Sequence, residues 1–385
     1  MNKELDRIKA EKTTVFYVNP MSYSNLALYD YSLISNINNV DLQYFCNVKY
    51  DSNKLAVKCN KIYKYSDKTG SLKVISYWIS QFSLFRLIRY KRPLVVHFQW
   101  LKIPLLDYYL LKFIKQKGVK IVLTAHNVLP HGTGNKYRKI YRKIYKVASK
   151  IIVHSEITKM ELSESLNISP EKVVVIPHGV LDIGKSIDLK VVESYIAKFK
   201  SELDLENKIV FSALGTINDY KGIDLIVDAW NFENISENNQ LKLLIAGKGK
   251  HEKLTELSTS KNAFILNRFL LAEEFLALLK LTDFVLLPYK KISQSGILLT
   301  AIGEKKRVIV SNVGGLGDPF KFGNIGFILP ELNAKELNLK IIDASLKVRK
   351  VPDESIWATI MEYYCWKNIG AATEKLYYRL KSENL

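Results

Sequence analysis

The chain has 385 residues, 48% of them hydrophobic, enough for two cores at roughly 100–200 residues per domain. Its three cysteines, Cys46, Cys59 and Cys365, form no C-x-x-C pair and have no zinc-ligand spacing, which argues against a disulfide framework or structural metal and fits a reducing cytosol. The formal charge of +19, where it is more than a solubility feature, calls for a polyanionic partner or surface, whether nucleic acid, anionic lipid or nucleotide phosphate, while the absence of a long apolar run or signal-like N-terminus predicts a protein neither secreted nor membrane-spanning.

In chain order, the strand-like runs TTVFYVN, PLVVHFQW, KIVLTAHN, KIIVHS and KVVVIPHG alternate with helix-like segments such as IPLLDYYLLKFIKQKG and ITKMELSESLN. Short Val/Ile-rich runs separated by helical segments predict a parallel sheet with crossover helices. Between the third and fourth runs lies KYRKIYRKIYKVASK, Lys136 to Lys150, without an acid. As a helix it places Tyr137, Tyr141 and Tyr145 on one side and Arg138, Lys139, Arg142 and Lys143 around the remainder. Such a helix packs by its tyrosines as an ordinary surface element, or rests on an anionic membrane surface, or contacts nucleic acid. No recognition-helix, zinc-finger or RNP-like context supports the last, so nucleic acid is not the expected partner.

The segment around residues 181–207 is charged and loses the strand rhythm, after which KIVFSALG, LKLLIAG, AFILNRF, DFVLLPY and RVIVSNVGG restart it. The predicted fold is α/β, two Rossmann-like domains of five strands each. Residues 1–182 form the first, 205–356 the second and 183–204 the linker, and an aromatic-rich helix over 357–385 closes the chain. Ligands of parallel sheets sit beyond the strands' carboxyl ends, so the residues there are the candidates. In the first domain these include Asn19, His97, His126, Asn127, His154 and His178, four of the six histidines among them. A histidine at a strand end is more often a satisfied structural group than a catalyst, and metal ligation would call for carboxylate or cysteine company that is lacking. In the second domain they are Gly215, Thr216, Gly247, Lys248, Arg268, Phe269, Tyr289 and the Ser293, Gln294, Ser295, Gly296 loop. Lys221, at the start of a helix, is disfavoured there unless an anion binds, and glycines with helix N-termini suit phosphate. Neither a Walker A loop nor a G-x-G-x-x-G occurs, which argues against a dinucleotide oxidoreductase.

Six segments in order, LTAHNVLPH, IIVHSEITKMEL with ISPEKVVVIPHGV, ALGTINDYKGIDLIVDA, LLIAGKGK, DFVLLPYKKISQSGILLTAIGEKKRVIVSNVGG and YYCWKNIGAATEKLY, resemble the retaining nucleotide-sugar glycosyltransferases of the GT-B fold, family 4 (glycosyl transferases group 1). The resemblance implies two domains facing across a cleft, a last helix crossing back to the first domain, and transfer of a hexose with retention from a GDP- or UDP-sugar to a polysaccharide or lipid-linked glycan. No separate cofactor is implied, and no D-x-D metal motif occurs. Lys221, the Ser295 and Gly296 N–H groups and the following helix would hold the departing diphosphate. His126 would face sugar and acceptor, and Asn19, Tyr23, His97 and Asn127 stand as acceptor-side candidates. Thr216 occupies a position where relatives often carry arginine, so Arg268 or Lys248 would supply a second cation. Tyr289 would stack on the base or simply pack, and Gln294 would read a sugar hydroxyl.

The family's E-x7-E glutamates fall on Ser293 and on Ala301 or Thr300, so both acids are missing. Glu304 is displaced from the expected position, and Lys305, Lys306 and Arg307 read as a solvated cluster at that helix's end. Other GT-B enzymes, an epimerase or a phosphorylase, and a basic nucleic-acid-binding protein are the rival readings. The expected location is the cytoplasm, peripheral at the inner face of the cell membrane.

Overall fold

The structure is a computed structural model that describes residues 13–23, 26–51, 55–130, 135–181 and 183–383. The chain divides into two compact units, residues 1–179 with 364–385, and residues 180–363.

The first unit is a seven-stranded parallel sheet in the order β3-β2-β1-β4-β5-β6-β7. Its strands are β1 (Thr14–Asn19), β2 (Asp41–Asn47), β3 (Lys58–Tyr63), β4 (Val95–Phe98), β5 (Lys120–Thr124), β6 (Lys150–Val153) and β7 (Val173–Val175). Alternation along β1 feeds two cores, Phe16 and Val18 entering one and Val15 and Tyr17 the other. Helices α2 (Gly70–Lys91), α3 (Pro104–Gln116), α4 (Arg138–Val147) and α5 (Glu156–Leu166) fill the first of these cores through Leu84, Leu111, Ile144 and Leu162. Helix α1 (Leu26–Ile34) and the last helix, α13 (Trp366–Ser382), fill the second through Leu33, Ile369 and Tyr377. The last helix is pinned by Glu374, whose Oε1 accepts the Asn39 N–H at 2.8 Å, and by Tyr378, whose hydroxyl donates to the Asn39 carbonyl at 2.6 Å.

The second unit is a six-stranded parallel sheet in the order β10-β9-β8-β11-β12-β13. The strands are β8 (Ile209–Leu214), β9 (Leu241–Ala246), β10 (Ala263–Leu266), β11 (Phe284–Leu287), β12 (Arg307–Ser311) and β13 (Gly326–Leu329). Its helices are α6 (Leu189–Glu202), α7 (Ile223–Trp230), α8 (Glu233–Ser236), α9 (Ala272–Lys280), α10 (Gly296–Gly303), α11 (Ala334–Leu346) and α12 (Glu354–Tyr363). Helix α6 lies in the stretch read as a linker and packs against α9.

Seven and six strands replace the five and five expected. The sequence DLQYFCN of β2 carries Gln43 and Asn47 among its apolar residues, and β3 is an edge strand with exposed Lys58 and Lys61, so neither shows an apolar run. The basic helix is also shorter than its charge pattern, covering Arg138–Val147, because Lys150 already opens β6. In each sheet the strand order reverses, between β1 and β4 and between β8 and β11, and the crevice at such a reversal is where parallel sheets receive ligands.

Candidate active site

At the reversal of the second sheet, a 3-10 turn over Asp219–Lys221 ends at Gly222, whose φ of +69° is left-handed. A Cβ at Gly222 would overlap the Pro288 carbonyl, so only glycine lets the turn press against the end of β11. The Lys290 N–H donates to the Tyr220 carbonyl at 2.8 Å, and its ammonium lies 3.0 Å from Asp219 and 2.9 Å from Asp224. This strap delivers Lys221 to the sheet end with its side chain buried, its Nζ facing Gly215 and 5.8 Å from the centre of the Tyr289 ring. Among the described residues no acid pairs with it. Burial lowers its pKa from the usual lysine value to about 8.

The Ser293–Gly296 loop stands on the other side of this end. Ser295 caps α10, its Oγ accepting the Leu298 N–H at 3.2 Å, and Gly296 is exposed at the helix start, where backbone N–H groups lack intrahelical partners. The loop rests on the two glycines after β12. Gly315 N–H donates to the Ser293 carbonyl at 3.0 Å, a Cβ at Gly314 (φ +53°) would overlap the Ile292 carbonyl, and one at Gly315 would meet the Gln294 carboxamide. Gln294 is therefore positioned by contact with glycine backbone, and it remains half-buried.

Several sequence-based expectations for this unit change. Tyr289 is 3% exposed and packs beneath Lys221 and beside Tyr220, so its ring face is covered rather than open to a base. Thr300 is buried inside α10 and its hydroxyl donates to the Gly296 carbonyl at 2.8 Å. Arg268 holds Glu274 with two nitrogens, at 2.8 and 2.6 Å, and also donates to the Phe269 carbonyl. Phe269 is exposed beside it. Lys248, next to Gly247, is exposed, and no acid pairs with it among the described residues. Thr216 is exposed after Gly215, whose N–H donates to the Ala246 carbonyl at 2.9 Å.

The cluster expected to be solvated at the end of α10 is partly built in. Arg307 opens β12, is buried, stacks on Phe284 at 4.0 Å and donates to the carbonyls of Lys347, Val348 and Lys350, satisfying the end of α11 instead. Lys306 donates to the Lys280 carbonyl and Lys305 pairs with Glu354. Asp219, Asp224 and His251 bring three potential metal-ligand atoms within 4.8 Å of one another, but the Lys290 ammonium already sits against both carboxylates.

In the first unit four strand-end histidines divide into two roles. His97 is fully buried, with Nδ1 2.6 Å from the Tyr377 hydroxyl and Nε2 2.8 Å from Thr124, so it joins α13 to the sheet and presents no open edge to an acceptor. His126, His154 and His178 instead surround the Tyr29 ring, at centroid distances of 5.0, 5.7 and 4.8 Å. Burial holds all four neutral, with His97 and His154 lowered to about 3, His178 to about 4, and His126 well below the usual value through burial and then its histidine neighbours.

Hydrogen-bond logic fixes the tautomers. His154 Nδ1 lies 2.9 Å from the Ile176 carbonyl and must donate, so its Nε2 accepts from His126 Nδ1–H at 3.1 Å. His126 Nε2 is then bare and faces the Gln99 carboxamide at 2.9 Å. With the Gln99 nitrogen turned toward His126 both groups are satisfied, and the otherwise unpartnered amide nitrogen finds its acceptor. The His126 ring also stacks on Trp100 at 4.7 Å and lines a pocket of about 230 Å³ with Trp100, Lys102, Asn127, Tyr137 and Tyr141. Gln99 and Trp100 stand in the strand-end run HFQW, two and three residues after His97, whereas nothing local in the sequence marks Tyr29.

Asn19 is fully buried. It donates to Asp30 at 2.6 Å and its Oδ1 accepts the Met21 N–H, while Tyr17 and Tyr44 also donate to Asp30, so Asn19 supports the β1 end rather than offering a group to an acceptor. Tyr23 is half-buried beside Tyr65. On α4, Lys139, Arg142 and Lys143 are exposed, as is Arg138, which donates to the Ser165 carbonyl. Tyr145 is buried and donates to the Val128 carbonyl.

The sequence pattern described as Glycosyltransferase Family 4 matches residues 64–181, and that described as Glycosyl transferases group 1 matches residues 207–345. The chain belongs to this glycosyltransferase family. An uncharacterized glycosyltransferase of Methanocaldococcus jannaschii is 22% identical over 250 residues, a match spanning 63% of this chain and 62% of that relative's length. Anabaena HepE, solved with UDP and glucose, superposes with a TM-score of 0.70 at 14% identity, covering 94% of this glycosyltransferase and 99% of HepE. Sucrose-phosphate synthase of Thermosynechococcus elongatus gives 0.69 at 15% identity, covering 97% and 100%. The fold is that of the GT-B glycosyltransferases.

Proposed function

We propose that this glycosyltransferase transfers a hexose with retention and without a metal ion from a UDP- or GDP-sugar to a polysaccharide or lipid-linked oligosaccharide acceptor. Its place is the cytoplasm, at the inner membrane surface through the cations of α4. The observation that carries the reading is Lys221, a buried ammonium without an acidic partner among the described residues. Such a charge is costly to keep in the fold, and a diphosphate beside it removes the cost. Charge builds on the departing diphosphate as the glycosidic bond breaks, so Lys221 and the exposed N-terminus of α10 act when they are needed most. Lys248 supplies the second cation, since Arg268 is held by Glu274.

Among the described residues, the sheet ends just described place no pair of free carboxylates of the kind a double-displacement mechanism uses. Asp219 and Asp224 are tied to Lys290. The acceptor proton then passes to the leaving phosphate on the same face. Neutral His126, its Nε2 lone pair held by Gln99, positions acceptor and sugar rather than carrying positive charge. Among the structural neighbours, HepE was solved with UDP, which makes a uridine nucleotide the first donor to test.

The test is a thermal-shift panel of nucleoside diphosphates and sugar nucleotides on wild type and Lys221→Ala. UDP or GDP is expected to raise the wild-type midpoint by the mass action of binding and to leave the variant unshifted. If no nucleotide stabilises the wild type, the donor reading fails.

A further inference from the structure

Helix α2 is built inside out over Tyr77–Phe82, before Leu84 and Ile88 restore an apolar inward side. Its inward side carries Tyr77, Ser80 and Gln81, all buried. Tyr77 and Gln81 converge on the buried Asp107 of α3 at 2.6 and 2.7 Å, and Ser80 donates to the Ile62 carbonyl. Its outward side carries Ile75, Trp78, Ile79 and Phe82, each more than half exposed, with Trp78 and Phe82 stacked 6.0 Å apart. Spacings of three and four residues put these on one stripe. The stripe continues onto α3, where Leu105, Tyr109 and Phe113 are also more than half exposed, and Phe85 meets Phe113 at 6.1 Å. A contiguous apolar surface of this kind marks an interaction site, since scattered single residues are the norm on a soluble face.

The charge around it selects the occupant. Neither α2 nor α4 contains an acid, and the one acid of α3, Asp107, is fully buried. Exposed Arg86 and Arg89 on α2, Lys112 and Lys115 on α3, and Lys139, Arg142 and Lys143 on α4 flank the apolar residues. Lys143 reaches over the Tyr108 ring of α3 at 5.9 Å, so the basic helix adjoins the apolar one. A second copy of this face would bring cation against cation with no acid to answer. Apolar and aromatic side chains rimmed by Lys and Arg match the acyl and headgroup layers of an anionic bilayer.

We propose that the outward face of α2 and α3 inserts into the interfacial layer of an anionic membrane, with Trp78 and Phe82 as the inserted residues and α4 as the electrostatic rim. The proposal rests on the anionic-membrane reading above and deepens it. The cations govern approach, and the apolar stripe keeps the protein attached when salt screens them.

The experiment is flotation of the full chain with phosphatidylglycerol-containing and pure phosphatidylcholine vesicles at low and high salt, together with quenching of tryptophan fluorescence by brominated lipid. Wild type is expected to float with the anionic vesicles, to keep a salt-resistant fraction, and to show quenching that Trp78→Phe removes. Trp78→Asp with Phe82→Asp is expected to partition about tenfold more weakly and lose the salt-resistant fraction. Lys139→Gln, Arg142→Gln and Lys143→Gln together are expected to weaken binding at low salt. Absence of Trp78-dependent quenching, or a double variant partitioning like wild type, overturns insertion, and the charge reading then stands or falls separately on the triple variant. Wild type that floats with no vesicle overturns both. A wild-type dimer split by the double variant would assign the face to a second copy and overturn the proposal. Nucleotide stabilisation of the same preparations tests the donor reading independently and shows that each variant is folded.

Discussion

The two sheets present their strand ends in opposite electrostatic styles. At the first sheet, His126, His154, Gln99 and the Ile176 carbonyl form a closed chain in which each ring is neutral and each polar edge has a partner. At the second, Lys221 is also buried, retains a charge that no acid meets among the described residues, and sits among glycines. A satisfied cluster is stable as it stands and serves by holding shape. An unsatisfied buried charge is stable only against something it binds, so the second sheet end carries the stronger signal of a ligand.

The most direct way to break the contrast is to remove the unsatisfied charge. Lys221→Ala should lower turnover by about 10²–10³-fold, roughly 3–4 kcal/mol of transition-state stabilisation, with little loss of fold stability because no native partner is orphaned. Steady-state kinetics beside a thermal melt reads both. Titration sharpens the same point. In the empty site Lys221 has a pKa of about 8, and a bound diphosphate raises it, so binding takes up a proton only above that pH. UDP affinity should be flat below pH 8 and weaken by up to about tenfold per unit above it. A flat profile to pH 10 would show that the ammonium does not meet the phosphates.

The histidine end should respond to acid instead. His97, His126, His154 and His178 have pKa values lower in the fold than in the unfolded chain, so the unfolded state binds more protons and their contribution declines as pH falls below about 6.5. Each costs up to about 1.4 kcal/mol per pH unit within its window. Asp30 and Asp107 act in the opposite sense. Burial raises them to about 7 and 6, so the fold binds their protons first and gains stability as pH falls toward the ordinary carboxylate range. Four groups against two leaves a net loss in acid. Denaturant midpoints at pH 7 and 5 should show it, less steeply for His154→Gln and more steeply for Asp30→Asn. A wild-type midpoint that rises in acid would mean the histidines are charged in the fold.

A smaller effect separates backbone approach from backbone strain. Gly314→Ala forces a left-handed residue against the Ile292 carbonyl and should cost about 1–3 kcal/mol while weakening UDP binding through the displaced Ser293 loop. Gly118→Ala has a similarly positive φ but open space around its Cβ, so it should cost about 1 kcal/mol and leave binding intact. Equal binding in the two variants would detach the glycine pair from the donor loop.

What could be read in the sequence follows the same physics. The β1, β4, β5 and β8 runs stand out because buried parallel strands are continuously apolar, and the chain's glycines and histidines stand out because they sit where those strands stop. Edge strand β3, with Lys58, Asn60 and Lys61, lacks that signature, while β13 is apolar but only four residues long and opens on a glycine. Helix α2 was invisible for a sharper reason. Over Tyr77–Phe82 its inward residues are Tyr77, Ser80 and Gln81 and its outward residues Trp78, Ile79 and Phe82, so the usual inference from hydrophobicity to burial runs backwards there, although Leu84 and Ile88 further on are buried in the ordinary way. Arg307 misled in the reverse direction, since a cation next to a helix end reads as solvated until the neighbouring helix end it satisfies is known. No local pattern announces that the Gln99 carboxamide faces His126 Nε2, because the partners lie 27 residues apart, just beyond the ends of neighbouring strands.

The smallest expected difference decides between two cations. Arg268 and Lys248 stand after neighbouring strands, β10 and β9, and either could supply a second cation beside the exposed, uncharged Thr216. Arg268 is bidentate to Glu274, with its own side chain 47% exposed, so the pair contributes at most about 1 kcal/mol and is already neutralised. Lys248 has no acid beside it among the described residues and follows the strand whose end contacts Gly215. Lys248→Ala should therefore weaken UDP binding by a few-fold to tenfold, the scale of one exposed charge near a phosphate, and the loss should shrink in high salt. Arg268→Ala should leave UDP affinity unchanged and lower the melting midpoint slightly. The opposite ranking would mean that Glu274 releases Arg268 when the donor arrives, and isothermal titration of Glu274→Gln, which frees the guanidinium beforehand, would then show tighter binding than wild type.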